Sequence, residues 1–127
     1  MKLFILFFLA ALSAHAQSPS LIYKNNQAAK LYDEERILDS KNLLQKEVID
    51  HPDDATLHYN LGVAHGGSKD PDKALIEYNA AIKNSREKDL QFSALFNTAH
   101  IYADKNDLKN ALKYYQLALD LKPDSEE

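Results

Sequence analysis

The chain has 127 residues, 45% of them apolar and 27% charged, with a formal net charge of −4 and no cysteine. That balance belongs to an ordinary globular domain and excludes collagen-like and disordered chains; without thiols, disulfides, iron–sulfur clusters and thiolate zinc sites are excluded too. Three Gly, four Pro and no Trp disfavour an all-β design, which needs many tight turns.

Residues 1–16 read as an export signal. Met1-Lys2 gives a short positive end, Leu3 to Leu12 is an unbroken apolar run, and Ala14-His15-Ala16 has the A-x-A form of a cleavage site. Ten apolar residues fall short of the roughly 20 that a membrane span requires, and no Cys follows the run to carry a lipid. Cleavage after Ala16 is therefore expected, giving a periplasmic or secreted protein. Its domain is residues 17–127, and 127 less 16 leaves 111 residues for it. Removal of the leader takes away one Lys and makes the chain one charge more acidic, a poor basis for binding nucleic acid.

Beyond the leader the pattern is weakest in residues 21–54 and clear from residue 55 onward. His58, Leu61, Gly62 and His65 have helical spacing, and so do Ala74, Tyr78 and Ala81, with Leu75 and Ile82 widening their stripe. Between them, Gly66-Gly67-Ser68-Lys69-Asp70-Pro71 is a turn by composition. Asp70 is placed to cap the following helix, with Pro71 at its first position. A shift of 37 positions carries Asn60 onto Asn97, Asp70 onto Asp107, Ala74 onto Ala111, Leu75 onto Leu112, Tyr78 onto Tyr115 and Ala81 onto Ala118. Six identities in so short a window mark a repeat. In the second copy Leu95, Thr98, Ala99 and Tyr102 form the first helix, Asp104 to Asp107 the turn, and Asp107 the cap. The unit is helix, short turn, helix.

With these residues in place, the chain resembles the tetratricopeptide repeat family, whose 34-residue units carry small residues where two helices touch and an aromatic on the second helix. Leu61-Gly62, Ala74, Tyr78 and Ala81 match one unit at 55–88; Ala99, Tyr102, Ala111, Tyr115, Ala118 and Pro123 match another at 92–125. His58 and Leu95 replace the family Trp, His65 its first Tyr, and Arg86 its closing Pro. The offset of 37 implies three extra residues, expected within Asn84 to Gln91 as a longer helix end or loop. Counting back 34 gives a degenerate unit at 21–54, where Ala28, Leu31, Ser40, Leu44 and Val48 suit core positions but Gln27 and Glu47 do not. The resemblance implies an all-α, right-handed superhelical stack of about three hairpins. Leu90 to Asn97, after the insertion, also resembles small exported repeat proteins of bacterial aerotolerance (Bat) operons, which implies a membrane-anchored partner with a von Willebrand A domain.

Family resemblance further implies that the first helix of each unit lines a concave groove. Asn26, Asn60 and Asn97 share one slot there, with Asn25, Tyr59 and Phe96 beside them and Tyr32, Val63, His100 and Asp104 nearby. An amide both accepts from and donates to a peptide backbone, and aromatics add rigid area. The expected partner-binding set is therefore Asn26, Asn60, Asn97, Tyr59, Phe96, Tyr32 and His100; a plainer alternative is that these residues serve the fold. Ser93 and Asn97 stand where a carboxylate clamp needs Lys or Arg, so no clamp is expected.

No enzyme and no cofactor are expected, because H-E-x-x-H and G-x-S-x-G are both absent and Gly67-Ser68-Lys69 closes a helix rather than following a strand. A rival reading is a small-ligand or metal carrier using His58, His65 and His100. Finally, Lys122 to Glu127 after Leu108–Leu121 encode no capping helix, so self-association or partner docking is expected at that end.

Overall fold

The computed structural model describes residues 17–121; the leader reading and the match at Pro123 lie outside them. Six helices follow in order: α1 (Pro19–Asp33), α2 (Ile37–Asp50), α3 (Ala55–Gly67), α4 (Pro71–Asn84), α5 (Lys88–Asp104) and α6 (Leu108–Leu121). No strand occurs among the described residues. The helices pair as hairpins α1–α2, α3–α4 and α5–α6; α3 then packs on α1 and α2, and α5 on α3 and α4. This is the expected all-α stack of three hairpins.

The turns inside the hairpins share one design. Glu35, Lys69 and Asn106 each adopt positive φ, near 60°, and the next residue's N–H donates back to the carbonyl of Leu31, His65 or Tyr102, at 2.9, 2.9 and 2.8 Å. That closure satisfies helix-end carbonyls with a left-handed residue just past the end. Asp70 and Asp107 cap α4 and α6 as expected, accepting from the backbone N–H groups of Lys73 and Asn110. Arg36 holds the same position before α2 and makes no side-chain cap, a further departure of the first unit beside Gln27 and Glu47.

The three extra residues lie in α5. It has 17 residues against 13 in α3, and the added first turn brings Leu90 into the core at 2% exposure. A polar insertion thus supplies one apolar anchor and extends a helix rather than a loop.

Every residue from Leu57 to His65 is buried. A helix boxed in by both neighbours can be apolar on all sides, whereas α2, α4 and α6 each keep a wet face. Small residues set the approach within hairpins. A Cβ on Gly62 would stand 2.7 Å from the ring of Tyr78, itself 0% exposed. In hairpin one Ala28 and Ser40 meet instead, and the Ser40 hydroxyl donates to the Ala28 carbonyl at 2.7 Å. Two cores result: one joins hairpins one and two through Leu21, Ala28, Leu44, Leu57, Leu61 and Ala64. The other joins hairpins two and three around Tyr59, Tyr78, Leu90, Ala94 and Ile101.

Candidate partner-binding face

The shared Asn slot turns out to lie between hairpins. Asn60 Nδ2 donates to Asn25 Oδ1 at 2.7 Å, across the seam between hairpins one and two. Asn97 Nδ2 donates to the hydroxyl oxygens of Tyr59 and Tyr78, at 3.2 and 3.4 Å, across the next seam. Asn60, Asn97 and Tyr59 are buried, at 4%, 6% and 2% exposure. Contrary to the open-groove expectation, the Asn60 and Asn97 amide N–H groups and the Tyr59 hydroxyl face neighbouring hairpins. The tyrosine rings fill the space: Tyr59 and Tyr78 lie 5.8 Å apart between centroids, and burial pushes the Tyr59 phenol up to about 12 and Tyr78 further still. Asn26, with no hairpin in front of it among the described residues, is exposed beside Tyr23, Gln27 and Lys30 in a shallow depression at the head of the stack.

Tyr32 is half-buried, its hydroxyl lying over Gly67, where a Cβ would come within 2.5 Å of it. A side chain at this position would have to displace the tip of the Tyr32 ring. Burial, with the charge of Asp33, raises the Tyr32 phenol.

Phe96 and His100 remain half-exposed, and the structure adds two residues to them. The Phe92 ring stacks on Phe96 at 5.9 Å; Phe96 meets His100 edge-on at 4.9 Å, and both meet Tyr115 edge-on, at 5.5 and 5.7 Å. Phe96, His100 and Tyr115 in mutual contact, extended by Phe92 through Phe96, form rigid aromatic surface on α5 and α6. Phe92 was legible at i−4 from Phe96, as His100 was at i+4; Tyr115 required knowing which face of α6 looks toward α5.

The other histidines have separate duties. His58 Nδ1 donates to Glu77 Oε2 and Nε2 to the Pro52 carbonyl, each at 2.6 Å. Facing a carboxylate and a carbonyl, both nitrogens must carry protons. The Glu77 hydrogen bond accordingly raises the His58 pKa against the opposing effect of burial. His65 is 3% exposed and burial lowers its pKa. Because His58 has both nitrogens engaged and His100 sits among rings, the three do not converge, and no group of three or more His, Cys, Asp or Glu suited to a metal occurs among the described residues. The carrier reading therefore gains no support from the geometry. No helix among the described residues is long and apolar enough to cross a membrane.

Stacked helix-turn-helix hairpins define a helical repeat protein. Two tetratricopeptide-repeat models match the sequence, one over residues 25–88 and one over 92–125. The chain belongs to the tetratricopeptide repeat family, whose members are generally non-catalytic scaffolds for protein contact. No curated protein matches it significantly.

Proposed function

We propose that the protein is an exported adaptor that holds a protein partner against the exposed aromatic face of its third hairpin. The observation that carries this reading is the half-exposed ring cluster of Phe92, Phe96, His100 and Tyr115. Aromatic side chains fixed by one another lose little freedom on binding and so favour contact energetically. Tyr32 and Asn26 offer secondary contacts further along, and Asn60, Asn97 and Tyr59 act beneath the surface by holding the hairpins in register. Export rests on the residues of the leader, and a membrane-anchored von Willebrand A-type partner rests on the resemblance of Leu90 to Asn97 to the Bat-operon repeat proteins.

A photo-crosslinking amino acid placed at Phe96, in cells producing the full chain, tests the reading. One discrete crosslinked protein in the exported fraction is expected, lost when His100→Ala and Tyr115→Ala are added. A chain that retains residues 1–16 and stays in the cytoplasm, or a diffuse crosslinking pattern, contradicts it.

A further inference from the structure

We infer that the end of hairpin three is a seat for an amphipathic α-helix of the partner, which lies there as α5 lies on hairpin two. The seat comprises Phe92, Phe96 and His100 of α5 with Leu112, Tyr115 and Leu119 of α6. This deepens the adaptor reading and rests on it, since it names what kind of segment the aromatic face receives.

Internal repetition carries the argument. Moved by 37 positions, Tyr59, Val63, Leu75, Tyr78 and Ile82 become Phe96, His100, Leu112, Tyr115 and Leu119. In hairpin two that set is covered: Tyr59, Val63 and Tyr78 are buried in one core with Leu90, Ala94 and Ile101 of α5, and Leu75 and Ile82 pack against it. In hairpin three the same set is only partly covered, with Phe96, His100 and Tyr115 half-exposed and the two leucines largely bare. Leu112 is 70% exposed and Leu119 61%, and α6 packs against α5 alone among the described helices. Leu108, Leu112, Tyr115 and Leu119 advance by four, three and four residues, the stripe that one helix presents to another. An apolar strip of this length, with its counterpart buried one unit earlier, is an interface lacking its second half.

The covering helix of hairpin two also states the chemistry of the missing one. It presents Leu90, Ala94, Asn97 and Ile101, that is, apolar, small, amide and apolar side chains at i, i+4, i+7 and i+11. The amide donates to the Tyr78 hydroxyl, and an equivalent amide would reach Tyr115. Phe92 and His100 replace Ala55 and Val63, so the seat is shallower on the α5 side and calls for small residues opposite. A second copy of this chain does not meet the description with its head. There α1 presents Tyr23 in place of Ala94 and Lys30 in place of Ile101, which clashes in size and takes an ammonium out of water. The head of a second copy therefore does not fit, and the helix proposed for the seat is a partner's.

The probe is a fluorescein-labelled peptide copying residues 88–104, with Phe92→Gln and Phe96→Gln for solubility, titrated with the purified chain and followed by anisotropy. Saturable binding is expected, weakened about tenfold or more by Leu112→Gln with Leu119→Gln. Both positions are exposed, so helicity and melting temperature should be unchanged; should that pair fail to fold, Leu119→Gln alone is expected to weaken binding about threefold. No saturation by about 100 μM, or binding indifferent to these changes, overturns the seat. So does a dimer dispersed by the same substitutions, which would give the face to a second copy. A failed titration beside a successful crosslink from Phe96 overturns the seat and leaves the adaptor reading standing.

Discussion

Asn97 illustrates how a polar residue can be read correctly in position and wrongly in duty. Its slot recurs in Asn60, and the amide at each is aimed across a seam at Tyr59 and Tyr78, or at Asn25. Removing such a donor takes a buried hydrogen bond from each acceptor and costs about 1–3 kcal/mol. Asn97→Ala is accordingly expected to lower stability by that amount in urea unfolding, and to couple with Tyr78→Phe in a double-mutant cycle. Loss of partner capture at unchanged stability would instead put the amide at the binding surface. His58 gives a pH signature. Its folded pKa is raised above the ordinary 6.5 by Glu77, so its stabilisation is fully present below about pH 6.5 and lost as pH rises through the folded value. His65 has the opposite sign: its folded pKa is lowered, so it destabilises the fold as pH falls below about 6.5. The stability gap between the wild type and His58→Gln should shrink from about pH 6 to about pH 9, whereas His65→Leu should flatten the acid side; a gap that widens with pH refutes the imidazolium bridge.

At the scale of helices, much was legible. Asp70 and Asp107 announced their caps, and Ala74, Tyr78 and Ala81 announced a buried stripe, because both signals are local. The contents of the groove were not legible. They depend on how deeply α3 is boxed by α1 and α5, and that follows from the number of hairpins and from ring volume rather than spacing. One cue was present: Leu57 to Val63 carries apolar or aromatic residues on all sides of the helix, a pattern that leaves no wet face for Asn60. The insertion falls within 84–91, and only packing shows that it lengthens α5 to seat Leu90. Gly62 tests the hairpin contact. A methyl group there meets the Tyr78 ring at 2.7 Å, so Gly62→Ala should destabilise by about 1–3 kcal/mol despite its better helix propensity. Gly62→Ala with Tyr78→Leu, the combination that hairpin one already uses in Ala28 and Leu44, should recover part of that loss in thermal melts. No recovery would mean that the contact is not what Gly62 serves.

For the molecule as a whole, the two ends differ in kind. The head presents exposed Ile22 and Tyr23 interleaved with the polar Asn26, Gln27 and Lys30. The tail presents leucines and four joined rings. A repeat stack is stable in proportion to its covered interfaces, and an uncovered one leaves its outer helix the least protected. Amide hydrogen exchange on the dilute chain measures this directly. The account expects α3 to exchange slowest and α6 far faster than α4, its counterpart one unit earlier, with α6 slowing once the helical peptide is added. Protection of α6 equal to that of α4 in the isolated chain would mean that the face is already covered, and the account would be wrong.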